Sequence, residues 1–568
     1  MTEVTERLFR ICYTVQMHLL IIGGVAAGAT AAARARRISE TADITIVERG
    51  PYVSFANCGL PYFLSGEIQK HSKLLLQTPE GFDSRYRVKA LVSTEAMEID
   101  RSGRRVRVKG PQGDAWISYD ALILAQGGNP VIPAIPGTDA PNVFHLWTLP
   151  DMDRIDAFIK EKKPATAVIA GGGFIGLEMA EALTARGIAT TIVEMLPRVM
   201  PVMDPELGGL IEQSLKTHNV RVVTRTGLKS IDARAACVEL SSGERLPADM
   251  VLLSVGVRPE LTLAKSAGLD IGAAGGLVVD EHMRTSDPGI WAAGDMVEVT
   301  QKVSGRVVRV PLAGPANRQG RIAASNALGV PTRYAGVLGS SVVKVFDATA
   351  ASTGLSEKGA REAGFDVGAV TIVKDDHASY FPGATEMVLK LIYDRVTRRV
   401  LGGSAFGGHG VEKRIDVLAM ALQGKLTIDD LAETDLTYAP PYSSANDPLN
   451  QAAFVAQNDL SGFSPAVSTA AARDLLAAAP ADRPVLLDVR NLAEYEAGHV
   501  RGALNIPLDD LRFRLDEVPR DRPLVLHCRS GFRSHLALRI LKGNGWNDVK
   551  NLTGGFVAIT ALGGFEID

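Results

Sequence analysis

Leu19–Gly28 reads LLIIGGVAAG, and Val168–Gly176 reads VIAGGGFIG. Each is a short apolar run that ends in a glycine-rich turn. A stretch with helical character follows in both, to about Ile38 in the first and through LEMAEAL in the second. A second strand then comes in each, Ile44–Val47 ending at Glu48 and Thr190–Val193 ending at Glu194. Strand, glycine turn, helix, strand and terminal carboxylate make the βαβ unit that binds a dinucleotide: the amides at the helix start hold the pyrophosphate and the carboxylate takes ribose hydroxyls. The first turn departs from GxGxxG at its middle glycine, which is Val25; the second, Gly171–Gly176, satisfies it fully. Two such units about 150 residues apart are a far stronger signal than either alone. Glu194 favours a free 2′-hydroxyl over a 2′-phosphate, so the second unit is expected to prefer NADH. Arg198, four residues on, leaves NADPH open.

The chain around these units has 568 residues, too many for one core. Lys plus Arg total 61 and Asp plus Glu 64, a net charge of −3, which argues against nucleic acid or an anionic membrane as the main partner. Charged residues at 22% and hydrophobic ones at 46% are globular values. The four cysteines, Cys12, Cys58, Cys237 and Cys528, form no CxxC pair and no metal-ligand cluster, so no metal is expected and a reducing cytoplasm is the expected setting. No apolar run reaches membrane-spanning length. Leu19–Ala33 also reads as a signal-peptide core, but Glu3 and Glu6 spoil the basic flank and the glycine fingerprint explains it better. Residues 1–17 fit no element, and Met17 is a candidate start.

Further segments resemble the two-dinucleotide flavoprotein family. TSDPGIWAAGD, Thr285–Asp295, resembles its second flavin-binding segment; YDALILAQGG, Tyr119–Gly128, resembles the strand before its ATG turn, with Gln126 in place of Thr; SVGVRP, Ser254–Pro259, resembles the matching turn after the NAD unit. The resemblance implies FAD in the first unit and NADH in the second.

Cys58 lies in SFANCGLPYFLSG, Ser54–Gly66, with Gly59 and Pro61 marking a helix that begins at the cysteine. A helix N-terminus stabilises a thiolate, so a lowered thiol pKa is expected. Dithiol reductases of this fold carry a second cysteine five positions on; here that position is Phe63, so Cys58 works alone through a mixed disulfide, persulfide or sulfenate. SFANCGLPY, GGVAAGATAAARARR, PLAGPANRQGR (Pro311–Arg321), HASYFPGA (His377–Ala384) and YAPPYSSANDPLN (Tyr438–Asn450) together resemble coenzyme A-disulfide reductases over residues 18–455. That resemblance implies a homodimer with one FAD per subunit, an active-site cysteine that forms a mixed disulfide with coenzyme A, and two tyrosines reaching the site from the partner, here Tyr380 and Tyr438. Coenzyme A contacts are implied at Arg34, Arg37, Ser54 and Asn57, with Arg34, Arg36 and Arg37 clustered as a phosphate-binding group. Asn446 departs from the lysine frequent in the family's SSAKDP segment. The residues expected to hold the nucleotides are Gly23, Gly24, Ala26, Ala27, Gly28, Glu48, Arg49, Asn57, Gly127, Asp295, Ala313, Gly171, Gly173, Phe174, Ile175, Gly176, Glu178, Glu194 and Gly256.

VLLDVR (Val485–Arg490), GHVRGALNIP (Gly498–Pro507) and PLVLHCRSGFRS (Pro523–Ser534) resemble a single rhodanese domain. Its Cys528–Arg533 loop is C-x4-R, short enough for a persulfide, with amides expected to converge on the sulfur and Arg533 adding charge. The expected fold is α/β, with two Rossmann-like nucleotide domains, an α+β dimerisation domain and a C-terminal α/β rhodanese domain. The boundaries are 18–150 and 276–333 for the FAD domain, 151–275 for the NAD(H) domain, 334–455 for the dimerisation domain, 456–466 for a polar linker and 467–568 for the rhodanese domain. The expected function is NADH-dependent reduction of coenzyme A persulfide, polysulfide or disulfide at Cys58, with Cys528 carrying sulfane sulfur. Two readings stand beside it: a single-cysteine NADH peroxidase or oxidase, though the histidine that such enzymes carry in the first glycine loop is Ala26 here, and a non-catalytic flavin-bearing sulfur carrier or redox sensor.

Overall fold

The computed structural model describes residues 17–479 and 483–568; Cys12 and the unassigned N-terminal residues 1–16 lie outside them. The signal-peptide alternative does not hold, because Leu19–Ile22 is a buried central strand and Ala26–Ile38 a helix.

The first sheet is all parallel, in the order Ile290–Ala292, Ala121–Leu124, His18–Ile22, Asp43–Val47 and Val88–Leu91. Its central strands are covered on both faces, so their sequences are unbroken apolar runs rather than alternating ones. The chain order reverses between His18–Ile22 and Ala121–Leu124, the switch point beside which parallel sheets bind ligands. The second sheet repeats the pattern: Arg221–Val223, Ala189–Val193, Thr166–Ala170, Met250–Leu253 and Val143–Phe144, again parallel. Val143–Phe144 joins this sheet although it precedes the expected boundary at 150, and two residues are too few to signal a strand. A short antiparallel pair, Gly128–Pro130 with Val257–Pro259, ties the two units together.

The third unit is an antiparallel sheet in the order Ser341–Val345, Ala348–Gly354, Val400–Gly407, Glu386–Asp394 and Val367–Asp375. Helices Val411–Gly424 and Pro448–Leu460 pack on it. The second of these runs into the segment expected as a linker: Asp447 caps its start by accepting from Leu449 N, and Ala452, Ala453 and Ala456 bury its inner face. Ala466–Val467, at the other end of that segment, is already an edge strand of the C-terminal sheet, which continues through Val549–Leu552, Leu524–His527, Val485–Asp488 and Leu504–Asn505. The connection is therefore only a few residues long.

Candidate active site

A cavity of about 480 Å³ opens at the switch point of the first sheet. Gly23, Ala26, Ala27, Glu48, Arg49, Asn57, Gly127 and Asp295 all line it. Gly28 lies beneath: a Cβ there would sit 1.8 Å from the Gly23 carbonyl oxygen, so only glycine lets helix Ala26–Ile38 start this close to the strand. Val25 is tolerated at the departing position because it is the helix N-cap residue with an ordinary negative φ of −95°. Glu48 accepts from Gly24 N and Gly50 N, both at 2.8 Å, and burial raises its pKa. Among the described residues the Asp295 carboxylate has no hydrogen-bond partner, and burial pushes its pKa up to about 6. The Oε1 atom of Gln126, also on the wall, is buried without a hydrogen-bond partner. Buried polar groups are nearly always satisfied, so unsatisfied ones facing a cavity mark where a polar ligand belongs. These residues fit FAD: a glycine turn and helix start for the pyrophosphate, Glu48 for a ribose, Asp295 for a polyol hydroxyl.

Ala313 begins the helix Ala313–Ala327, whose Ala316 reaches the cavity. Ser54 is buried at a strained φ of +50° and donates its amide to the Gly24 carbonyl. The second turn repeats the close packing, a Cβ at Gly176 falling 2.0 Å from Gly171 O, while Gly173 has open space. Phe174 and Ile175 start the helix behind it, and Gly256, at φ +115°, turns the chain beyond the sheet. Glu194 accepts from Gly172 N and Leu196 N, both at 2.8 Å, which fixes its carboxylate beside the second glycine turn.

Cys58 is exposed and sits in a single 3-10 turn, Asn57–Gly59, ahead of helix Leu60–Ser65. The expected lowering of its pKa is not what the chain produces. Partial burial pushes the thiol up first, and the carboxylates of Glu178 and Asp295 push it further. A six-residue helix carries too little dipole to reverse that. Glu178 faces this site, not only its own glycine turn: it accepts from the Tyr62 hydroxyl at 3.2 Å, and burial raises its pKa to about 7. Neither Tyr62 nor this pairing was legible beforehand, since its partners lie 116 residues apart. Removing the negative charge as Glu178→Gln is expected to raise the alkylation rate of Cys58 near pH 8 roughly threefold. An unchanged or slower rate would remove Glu178 from the thiol's surroundings.

Tyr380 and Tyr438 stand together, their hydroxyls 3.0 Å apart, and neither lines the first unit's cavity in the same chain. Both are exposed, at 75% and 46%. The arginine cluster is split. Arg36 is buried and gives its guanidinium to the carbonyls of Tyr86, Ser39, Ala42 and Arg87, so it is a structural clamp and not part of a phosphate site. Arg34 bonds Ser325 Oγ beside Arg321, and Arg37 bonds the Ala33 carbonyl of its own helix.

In the last unit, Cys528 is fully buried at the end of strand Leu524–His527. Gly531 N points at its sulfur from 3.1 Å and Ser534 Oγ from 3.6 Å. Arg533 is not a free charge there: it makes a bidentate pair with Glu494 at 2.6 and 2.7 Å. His527 beside it is buried, and its pKa falls to about 4, leaving it neutral. Among the described residues no cluster of His, Cys, Asp or Glu is arranged to hold a metal, and no helix is long and apolar enough to cross a membrane.

Paired nucleotide units with a lone cysteine beside the first define a class of flavin-dependent reductases. The chain belongs to the pyridine nucleotide-disulphide oxidoreductase family, whose model matches residues 17–320; the family's dimerisation domain matches 340–448 and a rhodanese-like domain 469–562. Family members bind FAD and NAD(H). The chain is 42% identical to the reduced Bacillus anthracis CoADR-RHD, with a TM-score of 0.92 over 96% of this chain and 98% of that one. It is 40% identical to a NAD-dependent persulfide reductase from A. fulgidus, with a TM-score of 0.89 over 95% of this chain and 100% of that one. A Pyrococcus abyssi NAD(P)H sulfur oxidoreductase (CoA-dependent) is 37% identical over 440 residues, 77% of this chain and 97% of that protein.

Proposed function

We propose that this protein is a homodimeric, cytoplasmic NADH-dependent flavoprotein that reduces the S–S bond of coenzyme A persulfide, or of polysulfide and coenzyme A disulfide, at Cys58. The observation that carries this is a lone exposed thiol at Cys58, next to Asn57 on the wall of the first unit's cavity and within electrostatic reach of Asp295 on the same wall, in a chain that also holds a sulfur-cradling Cys528 loop. Bound FAD supplies the two-electron relay between nicotinamide and sulfur. The Cys58 thiolate attacks the coenzyme A-bound sulfur of the persulfide; hydrosulfide leaves, and a Cys58–coenzyme A mixed disulfide forms. Two electrons from NADH then cleave that disulfide, restoring the Cys58 thiolate and releasing coenzyme A thiol. The sum is persulfide, NADH and a proton giving thiol, hydrogen sulfide and NAD⁺. Asn57, with Oδ1 3.8 Å from the Cys58 sulfur, orients the thiol, and Glu178, with a pKa near 7, is placed to hold a proton beside it. Tyr380 and Tyr438 complete the partner subunit's site, and Arg34, Arg37 and Ser54 border the coenzyme A path.

Anaerobic NADH oxidation with coenzyme A persulfide, coenzyme A disulfide and hydrogen peroxide tests this. Sulfide release matched to NADH use, fastest with the persulfide, is the expected result; turnover with peroxide alone would replace it by the peroxidase reading. In the same assay Cys528→Ser is expected to spare reduction of free coenzyme A persulfide and to abolish use of sulfane donors that must first load the C-terminal domain. Equal loss with both substrates would contradict that division.

A further inference from the structure

The C-terminal domain is clamped to the reductase units. Helix Gly555–Leu562 crosses helix Pro205–Thr217 of the second unit so closely that a Cβ at Gly209 would lie 1.7 Å from the Ala561 carbonyl oxygen. Leu210, Val373, Val388 and Ala561 share one apolar cluster across this seam. Arg529 pairs with Glu386 at 2.5 Å, and Thr371 N donates to Thr553 Oγ1.

One residue carries this seam into the nucleotide site. Arg198 lies in the loop that begins at Glu194. Its Nη2 donates to the Leu562 carbonyl at the end of the C-terminal domain's helix, and its Nη1 pairs with Glu212 Oε2 at 2.5 Å. Glu212 Oε1 accepts from the next amide, Val199 N, at 3.2 Å. Val199 and Met200 in turn seat the glycine turn: Met200 N donates to the Gly172 carbonyl at 2.9 Å, and a Cβ on Gly172 would meet Val199 at 2.7 Å. On its outer side the loop has little support, for Met195, Leu196 and Val202 are 73%, 47% and 57% exposed.

We propose that Arg198 is a positioning residue that makes nucleotide binding in the second unit depend on docking of the C-terminal domain. The helix end holds Arg198, Arg198 and Glu212 hold the loop, and the loop holds the turn that receives the pyrophosphate. The proposal rests on the reading of the second unit as the NADH site. Coupling of this kind is reciprocal, so NADH also tightens the docking of the domain that carries Cys528. Reductant supply and sulfur carrier are thereby linked without either touching the other.

The test is anaerobic calorimetric titration of NADH into the FAD-loaded full-length protein whose flavin has already been reduced with dithionite, so that only binding is read, with flavin content as the control for folding. Arg198→Ala is expected to weaken NADH binding about tenfold, raising KM for NADH while leaving kcat at saturation unchanged. Arg198→Lys, able to reach one partner but not both, falls between. Gly209→Val, which wedges the two helices apart, weakens NADH by a similar factor. The double variant is no weaker than the weaker single one, because both break the same link. Effects that multiply, or Gly209→Val binding NADH as the wild type does, overturn the proposal. Should Gly209→Val fail to fold, hydrogen exchange decides: NADH is expected to slow exchange in Gly555–Leu562 in the wild type and not in Arg198→Ala. Absence of that protection in a wild type that binds NADH overturns the coupling alone; a wild type that does not bind NADH overturns the nucleotide reading and the coupling with it.

Discussion

Replacing Cys58 by serine is expected to abolish NADH-dependent reduction of coenzyme A persulfide, lowering kcat by at least about a thousandfold. A serine hydroxyl is almost wholly protonated at neutral pH and cannot form a bond that a two-electron donor then cleaves. Among the described residues no second thiol stands in for it: the position a partner would occupy is Phe63, and the other cysteines there are Cys237 and Cys528. Cys528 is fully buried in its own loop. The variant keeps the glycine turns, Glu48 and Glu194, so flavin content and NADH affinity are expected to stay at wild-type values. Loss of the flavin's colour on adding NADH without oxygen should persist too, which places the defect in the sulfur half of the reaction. Retained reduction of the persulfide in this variant would sink the assignment of Cys58. Retained NADH consumption with oxygen alone would not, because that reaction needs only the flavin.

The thiol's surroundings bear on how that reaction begins. Burial together with Glu178 and Asp295 disfavours the thiolate, although these carboxylates have pKa values near 7 and 6 and so carry only part of their charge near neutrality. The cysteine's nucleophilicity is therefore set by groups from three separate stretches of chain. Here the limits of sequence reading are physical. The paired βαβ units were legible because all-parallel sheets buried on both faces leave continuous apolar runs, and because a helix that starts this close to a strand demands glycine at Gly28 and Gly176. Cys58 stood out because Gly59 and Pro61 punctuate the chain next to it. Contacts between distant segments leave no such periodic mark. Tyr62 with Glu178, Glu494 with Arg533 and Gly209 against Ala561 each join residues whose local sequence would read equally well on a solvated face. Arg36 shows the reverse error: three basic residues in a row of four looked like one charged face, but a helix turns 100° per residue, and the middle one points inward to bind four carbonyls. The helix running into 456–460 was hidden for a related reason, its buried alanines being spaced among polar residues that suggested a linker.

The largest expected loss of stability comes from Lys390→Met. Lys390 is 1% exposed on the inner strand Glu386–Asp394, and its Nζ lies 3.4 Å from Asp204, 3.2 Å from Glu206 and 2.8 Å from Glu357. These three carboxylates hold the ammonium above its ordinary pKa, so it stays charged throughout the usable range. Asp204 and Glu206 sit at the start of helix Pro205–Thr217, where the helix dipole favours negative charge, and Asp204 also accepts from Glu357 N at 3.0 Å. Glu357 pairs with Arg361 at 2.8 Å and accepts from Ser468 Oγ of the C-terminal unit at 3.2 Å. One buried cation therefore holds together the second nucleotide unit, the antiparallel unit and the C-terminal domain. Such a cluster adds little over an apolar core, but removing one partner leaves uncompensated charge in a dry interior, at a cost of about 3–5 kcal/mol. The sign with pH follows. Burial raises the pKa of Asp204 and Lys390 opposes that rise, so without Lys390 the Asp204 carboxyl titrates further above its unfolded value; the folded state then binds a proton that the unfolded chain has released, and stability falls as pH rises through that interval. The deficit of Lys390→Met against the wild type is thus expected to widen between pH 5 and pH 8 in thermal unfolding. Neutralising the site further, as Lys390→Met with Asp204→Asn and Glu206→Gln, is expected to recover most of the loss at pH 8. A Lys390→Met variant as stable as the wild type at pH 8 would show that water reaches the cluster and that the three units are held by their apolar contacts alone.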